Sequence, residues 1–330
     1  MRILVTGGAG FIGSHLVEQL ISSGHDIIII DNFNDFYDPR IKRKNFAEIA
    51  ETAKNSGQNL ILCEGDIRDT AFINELFMQE SPDAVIHLAA AAGVRPSIEK
   101  PLFYEEVNIR GTMNLLEAAK NVNVRLFLFA SSSSVYGNNP KTPFSETDPV
   151  DHPISPYAAT KKGGELICHT YHHLYNMNIA CLRFFTVYGP RQRPDLAISK
   201  FTRLIDQGKP VPFFGDGSSS RDYTFVNDII AGVERALSWV CCDEPRFGIF
   251  NLGGAMPVAL SRLVEIIESE LGIKATIERL PMQPGDVCIT YADLAKSRSV
   301  LGYQPLIPIE EGIRAFIRWY RNNPYYQRKA

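Results

Sequence analysis

The chain lacks the marks of several protein classes. No apolar run approaches the ~20 residues that a membrane-spanning helix needs, so no membrane partner is expected. The 34 basic and 37 acidic residues leave a formal net charge of −3. Without a basic excess, no nucleic-acid partner is expected. The six cysteines (Cys63, Cys168, Cys181, Cys241, Cys242 and Cys288) show no metal-ligand spacing, so no metal is expected either. The adjacent pair Cys241-Cys242 cannot easily close a relaxed disulfide. Reduced, mostly packed thiols fit the cytoplasm. No basic region, apolar core or cleavage site precedes the first apolar segment at Ile3, so no signal peptide is expected. Internal repeats and low-complexity segments are missing too. What is left is 330 residues, 45% hydrophobic and 22% charged. That is an ordinary globular composition, enough for one large or two modest domains.

The most informative stretch is Ile3-Leu-Val-Thr-Gly7-Gly-Ala-Gly10-Phe11-Ile12-Gly13. An apolar strand runs into three spaced glycines. A helical pattern follows at once, with Phe11, Ile12, Leu16, Val17 and Leu20 in phase. A second apolar run, Ile27 to Ile30, ends in Asp31. Strand, glycine turn, helix, strand and acid make a dinucleotide-binding βαβ unit. Glycines let the backbone approach a pyrophosphate, and the helix N-terminus offers N–H groups and partial positive charge. Asp31 is expected to accept from ribose hydroxyls, and Asn32 beside it belongs to the same cofactor set. A carboxylate there repels a 2′-phosphate, so NAD is favoured over NADP.

Apolar runs at 2–6, 26–31, 60–64, 83–88, 126–131 and 178–184 read as strands. Helical patterns near 11–23, 39–55, 70–79, 105–122 and 157–175 lie between them. The alternation predicts an α/β fold, a doubly wound parallel sheet with helices on both faces. Ligands in such sheets sit beyond the carboxyl ends of the strands. Residues 1–185 therefore read as the cofactor domain. After about residue 186 the Pro and Gly content rises and the alternation fades. Residues 186–330 read as a smaller α/β substrate domain, with segments near 226–252 returning to the main sheet. Residues 323–330 read as a polar tail.

Three features carry chemistry. Tyr157-Ala-Ala-Thr-Lys161 places a phenol and an ammonium one helical turn apart on one face. A nearby ammonium lowers a phenol's pKa and makes it a general base near neutral pH; the alternative is a surface pair. Ser131-Ser132-Ser133-Ser134-Val-Tyr136-Gly137 follows a strand end. Ser132 could hydrogen-bond a substrate oxygen, and the alternative is a loop that satisfies its own turns. Asn108 sits within a helical pattern, where its propensity is poor. It either ties active-site helices together or faces solvent.

In this order, Gly7-x-x-Gly10-x-x-Gly13, Asp31, Asp66-Ile67, His87-Leu88-Ala89-Ala90, Asn108, Ser132 and Tyr157-x-x-x-Lys161 resemble the extended short-chain dehydrogenase/reductase superfamily. The resemblance spans nearly the whole chain. It implies Tyr157, Lys161 and Ser132 as catalytic residues. It also implies Asp66 and Ile67 around an adenine, with Leu88, Ala89 and Ala90 along the pyrophosphate and ribose. Members share an opening step, in which tyrosinate takes a hydroxyl proton while hydride leaves the same carbon for NAD.

The sequel separates the classes. Nucleotide-sugar dehydratases and decarboxylases of this superfamily carry carboxylates where Ser133 and Ser134 stand. A hydroxyl cannot replace a carboxylate as acid or base near neutral pH. The pattern therefore favours a UDP-sugar 4-epimerase working through a 4-keto intermediate. Phe184-Phe-Thr186-Val-Tyr-Gly-Pro-Arg191-Gln-Arg193-Pro-Asp-Leu-Ala197 and Asp31-Asn-Phe-Asn-Asp-Phe-Tyr-Asp-Pro39 resemble UDP-glucuronate 4-epimerases. UDP-glucose and UDP-N-acetylglucosamine are the alternative substrates. Arg193 could take a sugar carboxylate bidentately, with Thr186 adding a hydroxyl. Arg191 and Arg193 could instead contact phosphate or pack a loop. Thr224, Arg221 and Phe213-Phe-Gly-Asp-Gly217 resemble the nucleotide-gripping part, with Arg221 on the diphosphate or else paired with Asp222. Ser133, Ala197 and Phe201 complete the substrate set, and Arg95 is a further basic candidate. Gln283-Pro-Gly-Asp286 departs from many UDP-sugar epimerases, which have Arg before Gly-Asp, so the diphosphate is left one cation short. Asp286 could accept from the uridine ribose. Family members commonly pair two helices into a dimer interface, and Leu115, Leu116, Leu166, Ile167, Tyr171 and Leu174 suit either that homodimer or burial within one chain.

Overall fold

The computed structural model describes residues 1–281 and 287–327. Asp286 and Gln283 lie outside that range. The chain opens with β1 (Arg2–Thr6), α1 (Phe11–Ser22), β2 (Asp26–Asp31), α2 (Pro39–Ser56), β3 (Leu60–Glu64), α3 (Thr70–Glu80) and β4 (Ala84–His87). Next come α4 (Val94–Glu99), α5 (Pro101–Glu105), a π turn (Glu106–Arg110), α6 (Gly111–Asn121), β5 (Leu126–Ser132), α7 (Pro156–Tyr175) and β6 (Asn178–Phe184). Beyond them are β7 (Thr186–Tyr188), α8 (Ala197–Asp206), β8 (Val211–Phe214), β9 (Ser220–Phe225), α9 (Val226–Val240), β10 (Phe247–Leu252), β11 (Pro257–Ala259), α10 (Leu260–Leu271), β12 (Ile277–Leu280), α11 (Ile309–Arg321) and α12 (Pro324–Gln327).

Seven parallel strands form the main sheet in the order β10-β6-β5-β4-β1-β2-β3. This is the doubly wound α/β sheet expected from the strand–helix alternation. Successive side chains of a strand point to opposite faces. Ile3, Val5, Ile27, Ile29 and Ile86 accordingly enter one core with α1, α2 and α9. Leu4, Ile28, Ile30 and Val85 enter the other with α3, α6 and α7. Strands buried on both faces read as continuous apolar runs, which is why the pattern located them so well.

The helix ends are set by local chemistry. Asp38 caps α2, Pro39 opens it and Gly57 closes it in a left-handed conformation. Ser155 accepts from Ala158 N, Pro156 follows, and α7 begins there, one residue before Tyr157. Strand order reverses between β1 and β4, so their carboxyl ends leave a crevice.

The small second sheet (β11-β9-β7) and the β12-β8 pair carry the later segments. β10 returns to the main sheet as the parallel neighbour of β6. The polar-tail expectation needs correction. Residues 324–327 form a short helix in which Tyr326 is buried edge-on to Trp319, 4.4 Å between ring centres. Leu115 and Leu116 are fully buried in the second core, and Tyr171 is nearly so. Only Leu166 and Leu174 of the six interface candidates are largely exposed, at 57% and 58%.

Candidate active site

Gly7, leaving β1, adopts φ +70°, and a Cβ there would stand 3.0 Å from Ala89 N. A Cβ on Gly13 would meet Gly7 O at 2.1 Å. The first turn of α1 thus lies against the loop as closely as glycine permits. Gly10 caps α1 without a side-chain acceptor, and the first turn has no acidic residue. The helix positive end and its N–H donors at Phe11 to Gly13 are therefore open to an anion. Across the crevice, Leu88, Ala89 and Ala90 leave β4, with Ala89 N donating to Thr6 Oγ1 at 3.1 Å.

Asp31 ends β2 and accepts from Ala9 N (3.1 Å) and Phe33 N (2.9 Å). Burial pushes its carboxyl up, opposed by those bonds and by Lys42 and Arg43. Two of its four acceptor sites are used, so a ribose can still be held. Asn32 donates to Asp66 at 3.0 Å. Burial raises Asp66, but the Arg68 guanidinium, the Arg68 N–H and the Asn32 amide together hold the carboxyl below its usual range. Ile67 is buried, and a Cβ on Gly111 would meet it at 2.6 Å. A crevice of uncapped N–H donors, small residues and one retained carboxylate fits a dinucleotide such as NAD.

Tyr157 and Lys161 share one face of α7. Lys161 is buried, 4% exposed, and its Nζ donates to Ala130 O at 2.7 Å and lies 6.0 Å from the centre of the Tyr157 ring. Burial pulls the Lys161 amine down to about 8. Burial likewise pushes the Tyr157 phenol up, while the Ser132 hydroxyl and the Arg193 charge pull it down. Ser132 and Arg193 thus bear on the phenol beside the Lys161 amine that the spacing placed there. Ser132 ends β5, and its Oγ lies 3.1 Å from Ser134 Oγ. Tyr104 stands edge-on to Tyr157 at 6.2 Å between ring centres.

Asn108 lies in the π turn and is buried, not solvated. Its Oδ1 accepts from Ala91 N (2.8 Å), and its Nδ2 donates to Ala91 O and Thr160 Oγ1 (both 3.0 Å). It therefore joins the crevice wall to α7, and a π turn gives the helix the extra residue that aims it inward.

A cleft of about 260 Å³ is walled by residues of the later segments together with Arg95. Arg95, Thr186, Ala197, Phe201 and Arg221 all line it, so five of the proposed substrate residues converge from four segments. A smaller neighbouring cleft of about 160 Å³ contains Ser133 and shares Thr186 and Arg221. Arg95 stacks over Phe214, 5.1 Å from the ring centre. Arg221 does not pair with Asp222. The Asp222 carboxylate is fully buried and accepts from Gly254 N, Ala255 N and Ala292 N, and burial pushes it up to about 6.

The two arginines after Pro190 take different roles. Arg191 packs the loop, forking onto Glu18 (2.8 Å) and reaching Glu48 (2.6 Å). Arg193 pairs with Asp195 at 2.7 Å, lies 4.8 Å from the Phe36 ring centre, and senses Tyr157. Thr224 is buried within β9, and its hydroxyl finds no partner among the described residues. Sequence reasoning missed Lys200 and Gln192, both on the cleft wall. Lys200 could have been found, because it shares a helical face with Ala197 and Phe201. Tyr104 carried no local signal.

A parallel sheet with a glycine crevice at its switch point and a Tyr–Lys helix beside it defines a class. The chain belongs to the GDP-mannose 4,6 dehydratase family, whose model matches residues 4–316; this is an extended short-chain dehydrogenase/reductase family. Within it, the chain is 42% identical over 322 residues to a UDP-glucuronate 4-epimerase of Thermodesulfobacterium geofontis, covering 97% of this chain and 96% of that one. The solved UDP-glucuronic acid 4-epimerase of Bacillus cereus, in complex with UDP-glucuronic acid and NAD, is 35% identical. It superposes with a TM-score of 0.88 over 98% of this chain and 99% of its own. A UDP-glucose 4-epimerase of Thermotoga maritima with UDP-glucose is 32% identical, with a TM-score of 0.87 over 98% and 99% of the chains.

Proposed function

We propose that this protein is an NAD-dependent UDP-sugar 4-epimerase, an isomerase, and that its substrate is UDP-glucuronate, converted to UDP-galacturonate. The observation that carries the reading is that Ser132 and Arg193 bear on the Tyr157 phenol, while Asp195, the partner of Arg193, and Ser133, the neighbour of Ser132, line two clefts that share Thr186 and Arg221. Gly7, Gly10, Phe11, Ile12, Gly13, Asp31, Asn32, Asp66, Ile67, Leu88, Ala89, Ala90 and Asn108 would hold NAD, together with Tyr157 and Lys161. When bound there, NAD would supply a hydride acceptor and a cationic ring whose charge would favour a phenolate.

The protein's own part is proton handling and grip. Tyr157 takes the proton of the sugar 4-hydroxyl, and Ser132 hydrogen-bonds the same oxygen. Lys161, held by Ala130 O, fixes the face of α7 that bears the phenol. Arg221 and Thr186 hold the nucleotide end and the sugar, while Arg95, Ser133, Ala197 and Phe201 line the rest. A firm remote anchor lets the oxidised sugar turn and present its other face. Ser133 and Ser134 offer no carboxylate for elimination, which supports epimerisation over the dehydratase chemistry in the family's description.

Arg193 is the residue for the sugar carboxylate. Its Nε and Nη2 are engaged by Asp195 (3.0 and 2.7 Å), so an acid substrate must displace that pair or share the fork. A bound carboxylate turned out of line with the 4-keto group would also resist decarboxylation. Incubation with UDP-glucuronate, UDP-glucose and UDP-N-acetylglucosamine, each resolved by NMR, tests the reading. Turnover of neutral sugars with none of the acid would defeat it in favour of a neutral-sugar 4-epimerase.

We place the division of labour at residues 1–185 for the cofactor and mainly 186–330 for the substrate, with the segment near 226–252 serving the first. All six cysteines are free, which supports the cytoplasm. No described helix is long and apolar enough to cross a membrane. A homodimer through α5, α6 and α7 is supported by exposed Leu102, Phe103, Met113, Leu166 and Leu174. Sedimentation at equilibrium, with Leu166→Glu as the disrupting variant, tests it.

A further inference from the structure

Behind Ser132 lies a charge cluster that the proposed chemistry does not use. Arg183 of β6 and Glu165 of α7 are each 1% exposed, and they meet in a fork. Arg183 Nε donates to Glu165 Oε1 and its Nη2 to Oε2, both at 2.8 Å. The same Oε1 accepts from Ser131 Oγ at 2.7 Å. Ser131 stands opposite Arg183 in the β5–β6 register, and Ser132 is the next residue. The guanidinium also lies 4.8 Å from the ring centre of Tyr136, which ends the turn that follows Ser132. Lys162 approaches Glu165 at 3.6 Å. Nη1 of Arg183 is buried with no partner among the described residues.

Burying such a pair is a poor route to stability. Its desolvation cost often exceeds the attraction, and apolar replacements of similar volume are frequently neutral or stabilising. What the pair does supply is placement. Glu165 is one turn beyond Lys161 and two turns beyond Tyr157 on α7, while Lys161 holds Ala130 O one residue before Ser131. The helix bearing the phenol is thus pinned twice to the strand end bearing Ser132. Arg183 locks the neighbouring strand, which leads to Thr186, to the same point.

We propose that Glu165 and Arg183 are positioning residues, a buried brace that sets the Ser132 hydroxyl against the Tyr157 phenol. The inference rests on the epimerase reading only for its kinetic arm. Displacements of about 1 Å in such an arrangement cost about a hundredfold in rate.

The test is the double variant Glu165→Met/Arg183→Met, made in the full chain. Thermal melting, kcat and KM for UDP-glucuronate, and the titration of Tyr157 (difference spectrum against the same protein carrying Tyr157→Phe) are all measured. The groups facing that phenol are Ser132, Arg193, Lys161 and Tyr104, and none is altered. The brace predicts a melting temperature near that of the parent, KM within about threefold, kcat lower by about thirtyfold or more, and a phenol titrating at higher pH. Parent-like kcat and phenol titration would overturn it, as would a kcat loss matching the unfolded fraction alone. Should the double variant fail to fold, Ser131→Ala decides. The brace then requires a several-fold fall in kcat and the same upward movement of the phenol, and unchanged values overturn it. If the unmodified protein turns over no UDP-sugar, the epimerase reading fails, while the phenol titration still judges the brace.

Discussion

Around Gly7 the protein offers a ligand backbone atoms, and around Arg221 it offers long side chains. The crevice between β1 and β4 is made of N–H donors, glycines and alanines packed so closely that a Cβ on Gly7 or Gly13 would crowd the backbone. The cleft beyond it is walled by Arg95, Lys200, Arg221, Phe201 and Phe214 from well-separated segments. A backbone cradle leaves little freedom to lose on binding, and it accepts one ligand shape. A side-chain wall is adjustable, and one residue can change what it takes. A retained cofactor suits the first construction and an exchanged sugar nucleotide suits the second.

Several substitutions would break or sharpen that contrast. The largest effect is expected at the seam between the two regions. Tyr157→Phe should lower kcat by about 10³- to 10⁴-fold with little change in KM, because it removes the base and leaves the binding surfaces intact. Comparable loss of UDP affinity in that variant, by calorimetry, would place the tyrosine in the grip instead. Next comes Gly13→Ala, whose methyl would collide with Gly7 O. Such overpacking costs about 1–3 kcal/mol, so NAD affinity should fall by about ten- to a hundredfold, with a lower melting temperature.

Arg221→Ala should raise KM by about ten- to a hundredfold at nearly constant kcat, the sign of a uniform anchor lost. A fall in kcat instead would mean that the cleft shares in the chemistry. Arg193→Leu should raise KM for UDP-glucuronate by about tenfold more than for UDP-glucose, in steady-state assays of both. Smallest in functional terms is a stability effect from Lys161. Its folded pKa of about 8 lies below the ordinary 10.5. Between these values the unfolded chain binds more protons, so stability from this group rises with pH and is lost as pH falls through 8. The span corresponds to about 3 kcal/mol. Denaturant unfolding of the parent from pH 7.5 to 10 should climb relative to Lys161→Met, and parallel profiles would refute the burial of a free amine.

The same contrast explains what could be read from the chain alone. The inner strands of the main sheet are buried on both faces and therefore almost wholly apolar, so six of the seven were visible as runs, and the returning segment near 226–252 held the seventh. The cradle is contiguous and its glycines are fixed by local geometry, as Gly7 and Gly13 demonstrate. The cleft is assembled from distant segments, and no local period announces which long side chains meet there. Thr224 illustrates the limit: its neighbours Arg221 and Tyr223 reach the cleft and alternation turns Thr224 to the other face, but nothing local said which face of the strand meets the cleft. The electrostatics were the least legible part. Spacing put Lys161 beside Tyr157 and the strand end put Ser132 near it, yet no local pattern placed Arg193 close enough to pull on the phenol. The tail was misjudged because polar composition hid a single tyrosine, Tyr326, that closes against Trp319.

The return of β10 to the side of β6 has a consequence for how such a molecule can be remade. All seven residues of β6 are buried. A polypeptide stopped at residue 185 would present that strand as a naked, sticky margin. The two halves are therefore not interchangeable cassettes. New sugar preferences must be grafted through the turns between strands, and fragments coexpressed from separate genes should reunite only if the second carries residues 247–252.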